Sequence, residues 1–212
     1  MPGMDLDRDT WLVADGNDAP VAFGLVQGVH PEHSQDSFIR VHPGHLGRGI
    51  GGYVLDAVET RAKERAPASG RQAVLWASGT ATDRAASALL SSRGFDVARH
   101  FWHMERELGE EPVPEPPPGI TTRTFRRGQD ERLAHALMEE SFEMVGVRKP
   151  RRGRGIGTFL LRRAFADLAR RGHRRARLNV DAGNETGATR LYERVGMRVR
   201  REFLVYEKRL ER

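Results

Sequence analysis

Cysteine is absent from the 212 residues. That excludes disulfides, a thiol nucleophile and a thiolate-bound zinc, and it fits a reducing compartment such as the cytoplasm. Long apolar runs are missing too. None approaches the ~20 residues that cross a bilayer, so no membrane span is expected. The first ten residues are acidic around no apolar segment, which argues against a signal peptide. Lysine is scarce: Lys63, Lys149 and Lys208 are the only ones among 35 basic residues. The string G-x-x-x-x-G-K-[ST] does not occur, which removes the mononucleotide P-loop. Aromatics make up 7% and do not interleave with basic stretches, so nucleic acid is not an expected partner. His30/His33 and His42/His45 have helix-like spacing, but Pro31 and Pro43 disfavour a helix there. No metal site is expected.

What is present suits a globular protein, with 38% hydrophobic and 30% charged residues. The net charge of +6 is uneven. Residues 1–110 carry −4 and residues 111–212 carry +10. An arginine-rich second half would attract phosphates or an acidic partner. A GC-rich genome would give the same arginine bias without a functional cause.

The chain reads as a tandem. Residues 109–119 (GEEPVPEPPPG) hold five of the 11 prolines and favour an extended linker. This divides the chain into segments 1–108 and 120–212. Gly47-Arg48-Gly49-Ile50-Gly51 recurs as Gly153-Arg154-Gly155-Ile156-Gly157, and Arg93-Gly94-Phe95 corresponds to Val195-Gly196-Met197. Elements in the same order at a near-constant offset indicate an internal duplication.

Patterning predicts strands at Trp11–Ala14, Val21–Gln27, Ser37–Val41 and Ala73–Ala77, helices at Tyr53–Glu64 and Asp83–Ser92, and final strands over Phe95–Leu108. Asp15–Asp18 reads as a hairpin turn. In the second segment it predicts a strand at Ile120–Phe125, a helix at Asp130–Phe142 and a short strand at Met144–Val147. A helix at Thr158–Arg171, a strand at Ala176–Val180, a helix at Glu185–Val195 and final strands over Arg198–Arg209 follow. Alternating strands and helices argue an α/β sheet covered by helices.

A strand, Gly-x-Gly, then a helix brings backbone close to a ligand and offers unpaired N–H groups to an anion. A pyrophosphate suits it, and Arg151, Arg152 and Arg154 add charge. The dinucleotide fingerprint fits poorly. Gly47, Gly49 and Gly52 supply its glycines, but the next strand ends at Ala77 with no acidic residue. The second copy has Thr158 at the third glycine.

The residues resemble the GNAT acetyltransferases. The family signature Arg/Gln-x-x-Gly-x-Gly/Ala is matched by Arg152-Gly153-Arg154-Gly155-Ile156-Gly157. The first copy carries Val41-His42-Pro43 and Gly49-x-Gly51, with Leu46 in place of Arg/Gln. A second family pattern is matched by Asn184, Ala188, Leu191, Tyr192 and Gly196, with Met197 in place of phenylalanine. The tandem layout is similar to that of mycothiol-synthase-type double-GNAT proteins.

The resemblance implies a mixed, mostly antiparallel sheet flanked by helices, in two GNAT-like segments. It implies an acyltransferase that passes an acetyl group from acetyl-CoA to an amine of a small molecule or peptide, without a metal. The implied cofactor contacts are Val147, Arg152, Gly153, Arg154, Gly155, Ile156, Gly157, Thr158 and Asn184, and in the first copy Gly47, Arg48, Gly49, Gly51 and Gly52. Tyr192 is the implied acid. The first copy has Leu90 and Thr82 where the second has Tyr192 and Asn184, and leucine donates no proton. Periodicity alone places Tyr192 on a buried helix face with Ala188, Leu191 and Val195. Glu143 and Asp181 are candidate bases. An acyl-CoA-binding protein without catalysis is the alternative.

Both segments are short of a family domain. The first lacks the opening strand and helices, and the second lacks room for the second and third strands. A composite sheet is expected, with Trp11–Gln27 supplying strands to the second half. Exposed sheet edges would otherwise favour a homodimer.

Overall fold

The computed structural model describes residues 4–29, 33–66, 72–135, 146–184 and 187–211. It divides into two compact units, one of residues 1–101 with 201–212, the other of residues 102–200. The Pro-rich stretch 109–119 lies within the second unit.

The first unit opens with a four-residue helix α1 (Leu6–Asp9), whose Asp5 side chain accepts from Asp7 N. Periodicity gives no sign of so short an element. Next come β1 (Thr10–Ala14), β2 (Pro20–Val29) and β3 (Ser34–Val41), then the helix α2 (Ile50–Glu64), β4 (Ala73–Thr80) and α3 (Arg84–Ser92). β1–β2 and β2–β3 are antiparallel. The turn between β1 and β2 is held by Asp15, whose Oδ1 accepts from Asn17 N and Ala19 N.

β3 and β4 are parallel, paired only from Ser34–Val74 to Ser37–Ala77. The core forms where α2 lays Val54, Leu55, Val58 and Ala62 on Val26 and Leu75. Each fully buried Val or Leu contributes about 1.5–3 kcal/mol.

The first unit is closed by the end of the chain. A single long strand, β7 (Arg198–Leu210), pairs antiparallel with β4 from Ala73–Leu210 to Thr80–Phe203. Tyr206 and Leu210 enter the core. Tyr206 Oη donates to Ser87 Oγ at 2.8 Å, and Lys208 Nζ meets Glu59 Oε2 at 2.6 Å.

The second unit takes its share of β5 (Asp96–Glu107) in return. It continues with α4 (Ile156–Arg170), β6 (Arg175–Asp181) and α5 (Ala188–Arg194). Met104 of β5 packs with Leu161 and Phe165 of α4, Val180 of β6, and Met197. On the opposite face Glu105 meets Arg177 at 2.7 Å, and His103 Nδ1 lies 3.0 Å from Asn179 Oδ1. The overall strand order is β1-β2-β3-β4-β7-β5-β6, a mixed, mostly antiparallel sheet flanked by helices.

Several sequence expectations are corrected. Trp11–Gln27 does not supply strands to the second half. β2 uses one edge for β1 and the other for β3, and the elements that change sides are β5 and β7. Phe95–Leu108 and Arg198–Arg209 each form one strand rather than several. Ile120–Phe125 is not a strand. The chain there is drawn back by Asp130, whose carboxylate takes Arg123 at 2.5 and 2.7 Å and Arg126 N at 2.7 Å. Of the helix expected at Glu185–Val195, Ala188–Arg194 is helical and Gly187 before it is left-handed, with φ of 77°; Glu185 and Thr186 lie outside the described residues.

Of the helix expected at Asp130–Phe142, residues 131–135 are helical and the rest lie outside the described residues, as do Glu143 and the first half of the strand expected at Met144–Val147. Gly146 and Val147 are not in a strand.

Candidate functional site

The glycine turn is built twice with the same backbone. In the first copy a 3-10 turn at Pro43–His45 leads through Leu46 (φ −66°, ψ 156°) to Gly47 and Gly49, with φ of 74° and 79°. In the second, a 3-10 turn at Lys149–Arg151 leads through Arg152 (φ −66°, ψ 162°) to Gly153 and Gly155, with φ of 76° and 78°. Left-handed φ twice within three residues is the conformation glycine adopts without a Cβ penalty. Each turn ends at a glycine N-cap that makes no side-chain capping bond, followed by a helix of 15 residues.

The first intrahelical bond of α4 runs from Phe159 N to Gly155 O. The amides of Ile156, Gly157 and Thr158 therefore point out of the helix end, where the helix dipole favours an anion. A Cβ at Gly153 or Gly155 would meet open space. The space in front of the turn is thus clear of protein atoms.

That space is a cleft of about 400 Å³ in the second unit. Val147, Arg152, Gly153, Gly155, Ile156, Gly157 and Thr158 line it, as do Ala188 and Leu191 from α5. Arg154, between the two left-handed glycines, is exposed. Arg152 is tied back across the turn, its Nε donating to Val147 O at 3.0 Å. The first copy has Leu46 there, 58% exposed.

Gly157 lets α5 come close, because a Cβ would lie 2.8 Å from Leu191 Cδ2. The matching contact in the first copy, Gly51 with Leu89 Cδ2, is looser at 3.4 Å. Arg48 and Gly52 belong to that first turn, with Arg93 beside Gly52.

Tyr192 follows Leu191 on α5. It is 6% exposed and packs among Met104, Phe165, Ala188 and Met197. It is not among the residues lining the cleft. Asn184 is half-buried in the turn after β6, its N donating to Asp181 O at 3.1 Å. Asp181 is occupied locally, with Oδ1 accepting from Gly183 N at 2.9 Å.

Sequence reasoning missed Arg194, which lines the cleft from the end of α5. It sits two residues after Tyr192 in a stretch rich in arginine, so composition gave it no distinction. Among the described residues no cluster of histidine and acidic side chains could hold a metal ion. No helix among them is long and apolar enough to cross a membrane.

A glycine turn that opens a 15-residue helix is thus built twice in a chain that folds on a mixed sheet. The model of the acetyltransferase (GNAT) family matches residues 4–95 and 130–197, and the chain belongs to that family of enzymes. A mycothiol acetyltransferase of Thermobispora bispora is 28% identical over 245 residues, covering 87% of this chain and 78% of that one. The mycothiol acetyltransferase of Clavibacter sepedonicus is 28% identical over 246 residues, covering 89% of this chain and 77% of that one. Those of Catenulispora acidiphila, Cellulomonas flavigena and Kineococcus radiotolerans are matched over 40% or less of their length.

A GCN5-related N-acetyltransferase from Sphaerobacter thermophilus superposes with a TM-score of 0.86 at 28% identity, covering 100% of this chain and 84% of that one. A tandem GNAT protein from the clavulanic acid biosynthesis pathway shares the fold, with a TM-score of 0.71 at 16% identity over 96% of this chain and 83% of that one.

Proposed function

We propose that the chain is an N-acetyltransferase that takes acetyl-CoA at the second glycine turn and passes the acetyl group to an amine. The observation that carries this reading is the uncapped amino end of α4, which faces an open cleft behind two left-handed glycines and beside Arg152. A pyrophosphate fits such donors, since backbone N–H groups and guanidinium both favour a dianion. Val147, Arg152–Thr158 and Asn184 are the proposed contacts, with residues 120–212 as the working half. The matching turn at Gly47–Gly52 is proposed as a weaker site, because Leu46 replaces the arginine.

In the reaction the amine nitrogen attacks the thioester carbonyl carbon. The carbon–sulfur bond breaks, the amine loses a proton and the leaving thiolate gains one. Tyr192 is the proposed donor of that last proton. The acceptor is a small-molecule or peptide amine. The relatives' name puts mycothiol chemistry first in an acceptor screen, and the cytoplasm is the proposed location.

Calorimetric titration with acetyl-CoA tests the site. Gly155→Glu forces a left-handed side chain, costing about 1–2 kcal/mol, and puts a carboxylate where a phosphate should sit. We expect it to abolish binding while Gly49→Glu leaves binding in place. Loss in the Gly49 variant alone would move the working site to the first half. Turnover across an amine panel tests the acid. Tyr192→Phe should lower kcat by about 10²-fold or more with acetyl-CoA affinity unchanged. An unchanged kcat removes Tyr192 from the chemistry.

A further inference from the structure

The Pro-rich stretch is fixed to the second unit by one side chain. Arg106 donates from Nη2 to both carboxylate oxygens of Glu111, at 2.7 and 2.9 Å, and from Nη1 to Val195 O at 2.9 Å. Its guanidinium also lies 4.9 Å from the centre of the Phe165 ring. The residues after Glu111 therefore form the wall of a second groove, of about 480 Å³.

Pro112 and Pro114 give this groove an apolar side, and Arg162 of α4 and Arg194 of α5 give it charge. Arg106 already neutralises Glu111. The side chains of Arg162 and Arg194 make no ion pair or hydrogen bond among the described residues. Arg194 also lines the cleft at the glycine turn, so the two spaces share it. Two unpaired guanidiniums beside flat apolar rings suit a phosphate attached to a planar base. At 1.5 Å per residue, Arg162 lies about 9 Å along α4 from Ile156, one sugar's reach beyond a pyrophosphate at the helix end.

We infer that this groove takes the 3′-phosphorylated adenosine end of the acyl-CoA, with Arg162 and Arg194 on the 3′-phosphate. The inference rests on the acyl-CoA reading of the glycine turn. It makes the Pro-rich stretch part of the cofactor site, and it explains why two guanidiniums have no partner among the described residues while the other groove arginine is fully engaged.

The test compares CoA with dephospho-CoA, which lacks only that phosphate, by calorimetry on the full chain. The unaltered protein should prefer CoA by about tenfold or more, the share of one charge-assisted contact. Because exposed charges are screened, that preference should shrink with added salt. Arg162→Ala with Arg194→Ala should bring the two affinities together. Both side chains are exposed, so the melting temperature should not move. Arg163→Ala, next in sequence but turned toward Asp167 at 3.9 Å, should keep the preference. Equal affinity in the unaltered protein, or a preference that survives the double substitution, overturns the groove while leaving the glycine turn intact. If neither nucleotide binds, the acyl-CoA reading fails and the groove falls with it.

Discussion

Removing residues 201–212 should unfold the first unit, although that segment lies more than 90 residues beyond the first repeat. The deletion takes away the strand that pairs with β4 from Ala73 to Thr80. It also removes Tyr206 and Leu210, which are 2% and 3% exposed. Two large side chains at about 1.5–3 kcal/mol each come to about 3–6 kcal/mol. Glu59, with 12% of its side chain exposed, would lose Lys208 and keep a largely buried charge; an unsatisfied group of that kind costs a further ~1–3 kcal/mol. A typical domain has only about 5–15 kcal/mol to lose.

Hydrogen exchange followed by mass spectrometry reads this unit by unit. The amides of β4 should lose their protection, while those of β6, which lies wholly in the second unit, should keep it. Graded variants calibrate the effect. Tyr206→Phe removes only the bond to Ser87, worth about 1 kcal/mol, and Leu210→Ala should cost about 2–5 kcal/mol. A truncated protein whose β4 amides exchange as slowly as in the full chain would refute the reasoning, because the first unit would then be stable on its own.

Two further expectations concern single positions. Asp9 is fully buried, and burial pushes its carboxyl up. The amide of Asp5 and the guanidiniums of Arg61 and Arg65 outweigh that and hold it below its ordinary 3.8. A folded value below the unfolded one means that its stabilisation is present above about pH 4 and is lost as pH falls through the folded value. Urea midpoints should therefore drop below that pH, and Asp9→Asn should flatten the drop; equal pH profiles for the two proteins would remove Asp9 as the cause.

The two glycine-to-alanine changes at the helix starts should differ in sign. Alanine gains up to ~1 kcal/mol in helix propensity at either place, but at Gly157 the new methyl meets Leu191 at 2.8 Å, against 3.4 Å from Leu89 at Gly51. Overpacking costs about 1–3 kcal/mol. Gly157→Ala should lower the melting temperature and Gly51→Ala should not; equal shifts would show that Leu191 gives way freely.

The first unit was legible in the sequence because its elements announce themselves locally. Asp15-Gly16-Asn17-Asp18 between two apolar runs makes a hairpin, and Val54, Leu55, Val58 and Ala62 share one face of a helix. The glycine turns were legible for a similar reason, since each compresses two left-handed residues and a helix start into a few positions. The exchange of β5 and β7 was not, because it depends on which edge is free after the sheet has formed. A strand carries the same alternation whichever neighbour it finds. The Arg106–Glu111 clasp was hidden likewise: the pair is five positions apart, but what makes it count is Phe165 and the Val195 carbonyl, which lie far along the chain.

The duplicated turn separates backbone from chemistry in a way neither copy could alone. Positions 42–64 and 148–170 have nearly identical geometry, down to cap angles within a few degrees. Yet one turn carries Leu46 and the other Arg152, and the helices that follow carry Leu90 and Tyr192 at equivalent places. The glycines that set the fold were retained in both, so they report on the shape of the turn and not on its use. What tells the two turns apart is the residues that the backbone does not require: an arginine bonded to the Val147 carbonyl, and two more whose side chains have no partner among the described residues along the path out of the cleft.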